Sequence, residues 1–397
     1  MHADHSYNQI ALQHLYTTGG SFVKQMLIGD GKIKTISTND FQSSNKKDTL
    51  RFQFDNALVF PGLINSHDHL DFNLFPKLGN RTYKNYLEWG TDIHHQNKKT
   101  IDEVLKVPQA LRIQWGIYKN LLNGFTTVFN HGKQLQIQHS LIDIFQDKDS
   151  SHSVRLEKYW KLKLNNPFNK KQPFVIHIGE GTDEKSCKEV DTLLQWNILR
   201  KKLIGIHGVA MNIKQAAHVE ALVWCPDSNF FLLNATAAID KLKHVTSIIF
   251  GTDSTVSADW NFWNHLRLAR KIALLNDVEL FASLTSLPAK VRNLSNIGML
   301  EENANADIVI AEKNSDNATE AFYALNPESI LMIIKNGSII LFDESLLQQV
   351  VDQNISATMF SRIHVNGKFK YVKGELHQLI KHIKSYSKEI HLPVEPA

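Results

Sequence analysis

Cysteine is scarce in this chain of 397 residues, which holds only Cys187 and Cys225. Two thiols build neither a disulfide framework nor a thiolate zinc cluster. Long apolar runs are missing as well: nothing approaches the roughly 18 consecutive apolar residues of a membrane span. The start Met1-His2-Ala3-Asp4-His5 lacks the apolar stretch of a secretion signal. An excess of one charge is also lacking, and a net charge of +4 at this length implies no nucleic-acid or membrane partner. No internal repeat or low-complexity segment interrupts the chain. These absences point to a cytoplasmic protein acting on a small molecule, with a homodimer as the default assembly.

What is present is 43% hydrophobic content, enough for a large core and a satellite domain. The organising stretch is Phe60-Pro61-Gly62-Leu63-Ile64-Asn65-Ser66-His67-Asp68-His69-Leu70. The apolar residues before and after Pro61-Gly62 read as strand. His67 and His69 are two apart, so in a strand both imidazoles leave the same face. Two neutral imidazoles on one spot make half of a metal site.

Before that stretch the chain reads as β structure, with Asp30-Gly31 as a hairpin turn, a polar exit over 37–40, a loop over 43–48 and an alternating strand over 50–54. Residues 83–106 read as a helical excursion that could cover the site, or as a surface helix packed by its aromatics. A helix over 107–123 ends at Gly124, and residues 125–129 form a strand ending at His131. After a poorly patterned stretch over 133–173, which includes a basic loop over 165–171, strands over 174–177, 203–206, 222–225 and 247–250 alternate with helices over 185–200 and 214–221. Such alternation is the pattern of a parallel sheet or barrel, and its polar residues recur at strand C-terminal ends, where a barrel keeps its active site. Beyond it, Asn336-Gly337 and Asn366-Gly367 mark two hairpins, and residues 375–390 form an amphipathic helix.

These pieces together resemble the amidohydrolase superfamily, in the branch of cytosine deaminase, guanine deaminase and the triazine chlorohydrolases. The matching motifs stand in family order: Pro61-Gly62-Leu63-Ile64 with His67-Asp68-His69, Gly124-Phe125-Thr126-Thr127-Val128, His177-Ile178-Gly179-Glu180, His207-Gly208, Cys225-Pro226-Asp227-Ser228-Asn229 and Gly251-Thr252-Asp253. The resemblance implies a (β/α)8 barrel over residues 61–299. A small β-sandwich built from residues 1–60 and 300–397 would stand beside it. It implies one divalent metal, zinc or iron(II), held by His67, His69, His177 and Asp253. Glu180 would then shuttle protons, His207 would orient the water and polarise the substrate, and Asp253 would help to deprotonate the water. Ser228 and Asn229 would contact substrate, as would His131 from its place at the barrel mouth.

The expected reaction is hydrolysis of a small cyclic amidine or nucleobase-like compound by a metal-activated water, with loss of ammonia, an amine or a halide. Two departures bear on the substrate. The interval from His131 to His177 is a tight fit for two βα units, because each crossover needs about a dozen residues, so the barrel is expected to be abbreviated there. Asn234-Ala235-Thr236-Ala237 also replaces a more glycine-rich continuation. The alternatives are a binuclear cyclic-amide hydrolase, in which His177 and His207 hold a second metal that needs a bridging carboxylate or carbamylated lysine (Lys161 and Lys163 lie in the right region), and a non-catalytic binding protein that retains the fold.

Overall fold

The computed structural model describes residues 9–39, 49–137, 140–169 and 172–397. The loop expected over 43–48 and part of the basic loop over 165–171 lie outside the described residues. The chain opens with β1 (Gln9–Thr17), β2 (Phe22–Gly29), β3 (Lys32–Ser37) and β4 (Thr49–Pro61). Asp30 and Gly31 both have positive φ (51° and 70°), as a tight hairpin between β2 and β3 demands. The two apolar stretches expected on either side of residue 55 are one strand, β4, in which Asn56 takes a left-handed φ of 58°.

A run of parallel strands follows: β5 (Leu63–Asp68), β6 (Phe125–Asn130), β7 (Asp143–Gln146), β8 (Ser150–Ser153), β9 (Phe174–Ile178), β10 (Leu203–His207), β11 (Ala221–Trp224) and β12 (Ser247–Phe250). They form a three-stranded sheet, β5-β6-β7, and a five-stranded sheet, β8-β9-β10-β11-β12. Every residue of β5, β6, β9, β10 and β11 is buried, as expected for parallel strands covered on both faces. The helices before β6 are α1 (Tyr86–Gln96), α2 (Lys98–Leu105) and α3 (Gln109–Leu122). Then come α4 (Trp160–Leu164), α5 (Glu184–Trp196), α6 (Ile213–Ala216) and α7 (Pro226–Leu233). The helix expected over 214–221 is shorter than its pattern implied, because Ala221 already belongs to β11.

The interval between His131 and His177 is resolved in an informative way. Strand β7 is parallel to β6, strand β8 is parallel to β9, and only Asp147, Lys148 and Asp149 lie between β7 and β8. Two neighbouring parallel strands need a crossover of about a dozen residues. So short a link cannot supply one, so β7 and β8 are successive parts of a single strand path, the first paired with β6 and the second with β9. Among the described residues, one strand path thus stands in this interval where two βα units were expected.

The closing strands are β13 (Ile308–Glu312), β14 (Ile330–Lys335), β15 (Ser338–Asp343), β16 (Phe360–Val365), β17 (Lys368–Lys373) and β18 (Glu395–Pro396). They join β1–β4 in one ten-stranded sheet of order β18-β16-β17-β15-β14-β13-β4-β1-β2-β3. Asn336-Gly337 and Asn366-Gly367 make the expected hairpins, again with positive φ at both residues. At its centre the sheet is a wall between two cores. Leu58 and Phe60 of β4 and Val309 and Ala311 of β13 face the main core. Their neighbours Ala57, Val59, Ile308 and Ile310 face a second core shared with β1, β2 and β14. That is the period of two read through a strand buried on both sides.

Candidate active site

Strand C-terminal ends bring the site together. His67 ends in β5, His69 follows it, His131 follows β6, His177 lies in β9 and His207 ends β10, while Asp253 stands just beyond β12. Two local features let these ends meet. Gly251 carries no side chain where a Cβ would lie 2.8 Å from His67 Cβ and 2.7 Å from Val223 Cγ1, so β12 can close against β5. His207 and Asp253 both hold left-handed backbone (φ 70° and 57°), a strained state for such residues that turns their side chains inward.

Within this cluster, His67 Nε2 lies 3.2 Å from His177 Nε2, and His69 Nε2 lies 3.4 Å from His177 Nε2. Asp253 Oδ1 is 3.8 Å from His67 Nε2 and 4.0 Å from His69 Nε2. His69 Nδ1 donates to the His131 carbonyl (3.0 Å) and His177 Nδ1 to the His152 carbonyl (2.8 Å). With the Nδ1 proton spent on a carbonyl, each Nε2 presents a lone pair. Two lone pairs facing each other at 3.4 Å repel unless a cation lies between them. Ligands about 2.0–2.1 Å from a tetrahedral zinc stand roughly 3.3–3.4 Å apart, which is the spacing of these nitrogens. The donor set therefore fits a divalent ion. Burial, with the imidazoles of His69, His131 and His207 nearby, holds His67 well below the ordinary histidine value. Burial and the facing His131 and His152 do the same for His177. Both are thus kept neutral and able to ligate.

Glu180 and His207 flank this centre, with Glu180 Oε1 3.7 Å from His207 Nε2. Burial, and then the carboxylates of Asp253 and Glu189, push the Glu180 carboxyl well above its usual range, which favours its protonated form. Asp253 is held the opposite way. Burial would raise it, but the imidazoles of His69 and His207, the Ser228 hydroxyl and the Ser254 N–H keep it below the usual carboxylate value. Here are two carboxyl groups with their proton affinities driven apart, the condition for one to serve as acid while the other serves as base.

The remaining expected residues stand as follows. Ser228 Oγ donates to Asp253 Oδ2 at 2.8 Å, and Asn229 Oδ1 accepts from His207 Nδ1 at 2.8 Å. Both side chains are buried and engage the site's own residues. His131 is buried with its ring 4.7 Å from that of His177. Lys161 and Lys163, the candidate bridges for a second metal, do not reach the centre. Lys161 lies over the Trp196 ring at 3.7 Å, and Lys163 pairs with Glu157.

Several contributors escaped the sequence reading. Ser257 Oγ adds a second hydrogen bond to Asp253 Oδ2 at 2.9 Å. Asp68, between the two histidines of β5, points the other way into a buried network. Its Oδ2 accepts from Asn120 (2.7 Å) and Lys119 (3.3 Å), and its Oδ1 accepts from Asn73 (2.8 Å). Strand alternation alone places Asp68 opposite the site, so that much could have been read. Phe72, 41% exposed, stacks on His69 with ring centres 5.6 Å apart.

Comparison with known proteins agrees with this geometry. Residues 170–340 match the family described as Amidohydrolase family. The chain is similar to a 5′-deoxyadenosine deaminase of Methanococcus aeolicus, 24% identical over 392 residues that cover 80% of this chain and 90% of that one. It is also similar to a 5-methylthioadenosine/S-adenosylhomocysteine deaminase of Carboxydothermus hydrogenoformans, 26% identical over 357 residues covering 74% and 81%. Its fold is like that of an adenosine deaminase from Xanthomonas campestris solved with bound zinc, with a TM-score of 0.67 and 14% identity over 96% of this chain and 98% of that one. The family match over residues 170–340 and the two deaminase relatives support an amidohydrolase-family domain in this part of the chain.

Proposed function

We propose that this protein is a mononuclear metal-dependent deaminase that hydrolyses an exocyclic amino group from a purine-like amidine, an adenine nucleoside being the leading class. The observation that carries this reading is the convergence of three imidazole Nε2 atoms and one carboxylate beside the buried Glu180 carboxyl. The names of the two relatives support the adenosine-like substrate. We also read β5–β12 as the wall of a barrel with seven staves, β7 and β8 sharing one, over residues 61–299. The ten-stranded sheet would fold over its own core as a sandwich domain of residues 1–60 and 300–397.

His67, His69, His177 and Asp253 would hold the ion, and bound there it would activate a water by lowering its pKa towards neutrality. The chain's residues do the rest. Asp253 takes a proton from the attacking water, and His207, fixed through Asn229, orients that water. The water oxygen forms a bond to the amidine carbon while Glu180 gives its proton to the adjoining ring nitrogen. The ionised Glu180 then takes the remaining hydroxyl proton from the oxygen on the tetrahedral carbon and passes it to the exocyclic nitrogen; the carbon–nitrogen bond breaks, ammonia leaves a carbonyl behind, and the proton held by Asp253 returns to Glu180. Ser228 and Ser257 keep Asp253 aimed, and His131, buried beside the centre, is the substrate contact.

The test is ammonia release from adenosine, 5′-deoxyadenosine, guanine and a triazine, run on the parent chain and on Glu180→Gln. Release from an adenine nucleoside, lost in Glu180→Gln with metal retained, is the expected outcome. Turnover that survives Glu180→Gln would remove Glu180 from the mechanism.

A further inference from the structure

Helix α1 is not a free cover over the site. The segment just before it lies against the loop that carries Glu180, and the two are paired as a short antiparallel bridge between Asn85 and Gly181. Tyr86 N donates to the Glu180 carbonyl (3.2 Å), and Thr182 N donates to the Lys84 carbonyl (2.8 Å). Asn85 uses both ends of its side-chain amide. Its oxygen caps α1 by accepting from the N–H groups of Leu87 and Glu88, each at 3.1 Å. Its nitrogen donates to Asp183 Oδ2 at 2.6 Å. Asp183 in turn caps α5, its Oδ1 accepting from Ser186 N at 2.9 Å. The N-caps of α1 and α5 are thus bonded to each other across the Glu180 loop.

Such close approach depends on Gly181. A Cβ there would lie 2.2 Å from Ser186 Oγ, 2.8 Å from Asn85 Cβ and 2.9 Å from the Lys84 carbonyl oxygen. The φ of Gly181 is not positive, so the glycine is required for space rather than for backbone freedom. On the same side, Tyr86 OH lies 3.0 Å from Ser153 Oγ, one strand over from His177, and 3.3 Å from buried Glu189.

We infer that Asn85 is a positioning residue for the proton transfer, holding the Glu180 carboxyl over the reacting atoms through its bond to Asp183 while touching neither substrate nor ion. This rests on the reading of Glu180 as the proton carrier. A carboxyl on a loop would otherwise sample several positions, and a displacement near 1 Å from the productive position costs about 100-fold in rate.

The test is Asn85→Asp, which keeps the cap oxygen for α1 but sets a carboxylate against Asp183, and the pair Asn85→Asp/Asp183→Asn, which restores a donor opposite an acceptor. With 5′-deoxyadenosine as probe, Asn85→Asp should lower kcat by about tenfold or more with KM and metal content unchanged, and the double variant should recover to within about twofold. Hydrogen exchange at the Thr182 amide should rise in the single variant and fall back in the double, independently of turnover. Should Asn85→Asp fail to fold, Asn85→Ser keeps a cap oxygen and only removes the tie, with the same expected fall in kcat. Unchanged kcat, loss of metal in step with kcat, or absence of rescue overturns the inference. Glu180→Gln is assayed beside these variants. If it stays active, or if the parent chain turns over no probe, the underlying reading fails. If it is dead while Asn85→Asp and Asn85→Ser are unimpaired, only the positioning role fails.

Discussion

Lys119 Nζ lies 3.3 Å from Asp68 Oδ2, and neither side chain is more than 1% exposed. This buried ion pair anchors the residue between His67 and His69 and joins α3 to the end of β5. Thr252 Oγ1, adjacent to Asp253, also contacts Lys119 at 3.3 Å and Asn65 Nδ2 at 2.7 Å. The pair therefore reaches both of the strand ends, β5 and β12, that close on each other.

Removing one partner leaves an uncompensated charge. Lys119→Met should destabilise the fold by about 3–5 kcal/mol, read as a lowered denaturant midpoint. The double variant Asp68→Asn/Lys119→Met should recover a substantial part of that loss. Equal stability of the single variant and the parent chain would show the pair to be dispensable.

The hold on Asp253 is divided between two hydroxyls, Ser228 and Ser257, both bonded to Oδ2. Loss of one leaves the other. Ser228→Ala and Ser257→Ala should therefore each weaken metal affinity by only about twofold, and Ser228→Ala/Ser257→Ala by about 10- to 100-fold, more than the product of the single effects. Competition against a chelator measures both, and strict additivity with no synergy would count against a shared role.

Glu189 gives the pH dependence of stability. It is 3% exposed, and burial, partly offset by Arg155 and the Tyr86 hydroxyl, raises its carboxyl to about 7. The folded chain then holds a proton that the unfolded chain gives up near the ordinary glutamate value of 4.5. Stability from this group is complete below that value and is lost as pH rises through about 7, a fall of about 3 kcal/mol by linkage. Glu189→Gln should flatten the unfolding free energy between about pH 5 and 8 by that amount. Parallel profiles for the two chains would refute the assignment.

Gly251→Ala places a Cβ against His67 Cβ and Val223 Cγ1. Overpacking of this kind costs about 1–3 kcal/mol, and here it pushes on a ligand. The expected result is a lower melting temperature together with weaker metal binding. A drop in one without the other would mean that β5 yields without moving His67.

The sequence made some of this legible and hid the rest for physical reasons. Strand periodicity placed His67 and His69 on one face, and Asn-Gly and Asp-Gly dipeptides marked hairpins, because both signals are local. The ten-stranded sheet mixes strands from both ends of the chain, which no local pattern reveals. The shared path of β7 and β8 was visible only as a shortage of residues. Ser257 and Lys119 act on partners distant in the chain, and an isolated serine or lysine carries no mark of that. Ser228 and Asn229 were picked out by motif, but their bonds to Asp253 and His207 needed the fold.

The most direct test of the central claim is metal content per chain on purified protein, before and after His177→Ala, alongside ammonia release from adenine nucleosides. The account predicts about one zinc or iron(II) per chain, lost together with ammonia release in the variant. No bound metal, or two ions per chain with activity needing both, would contradict it.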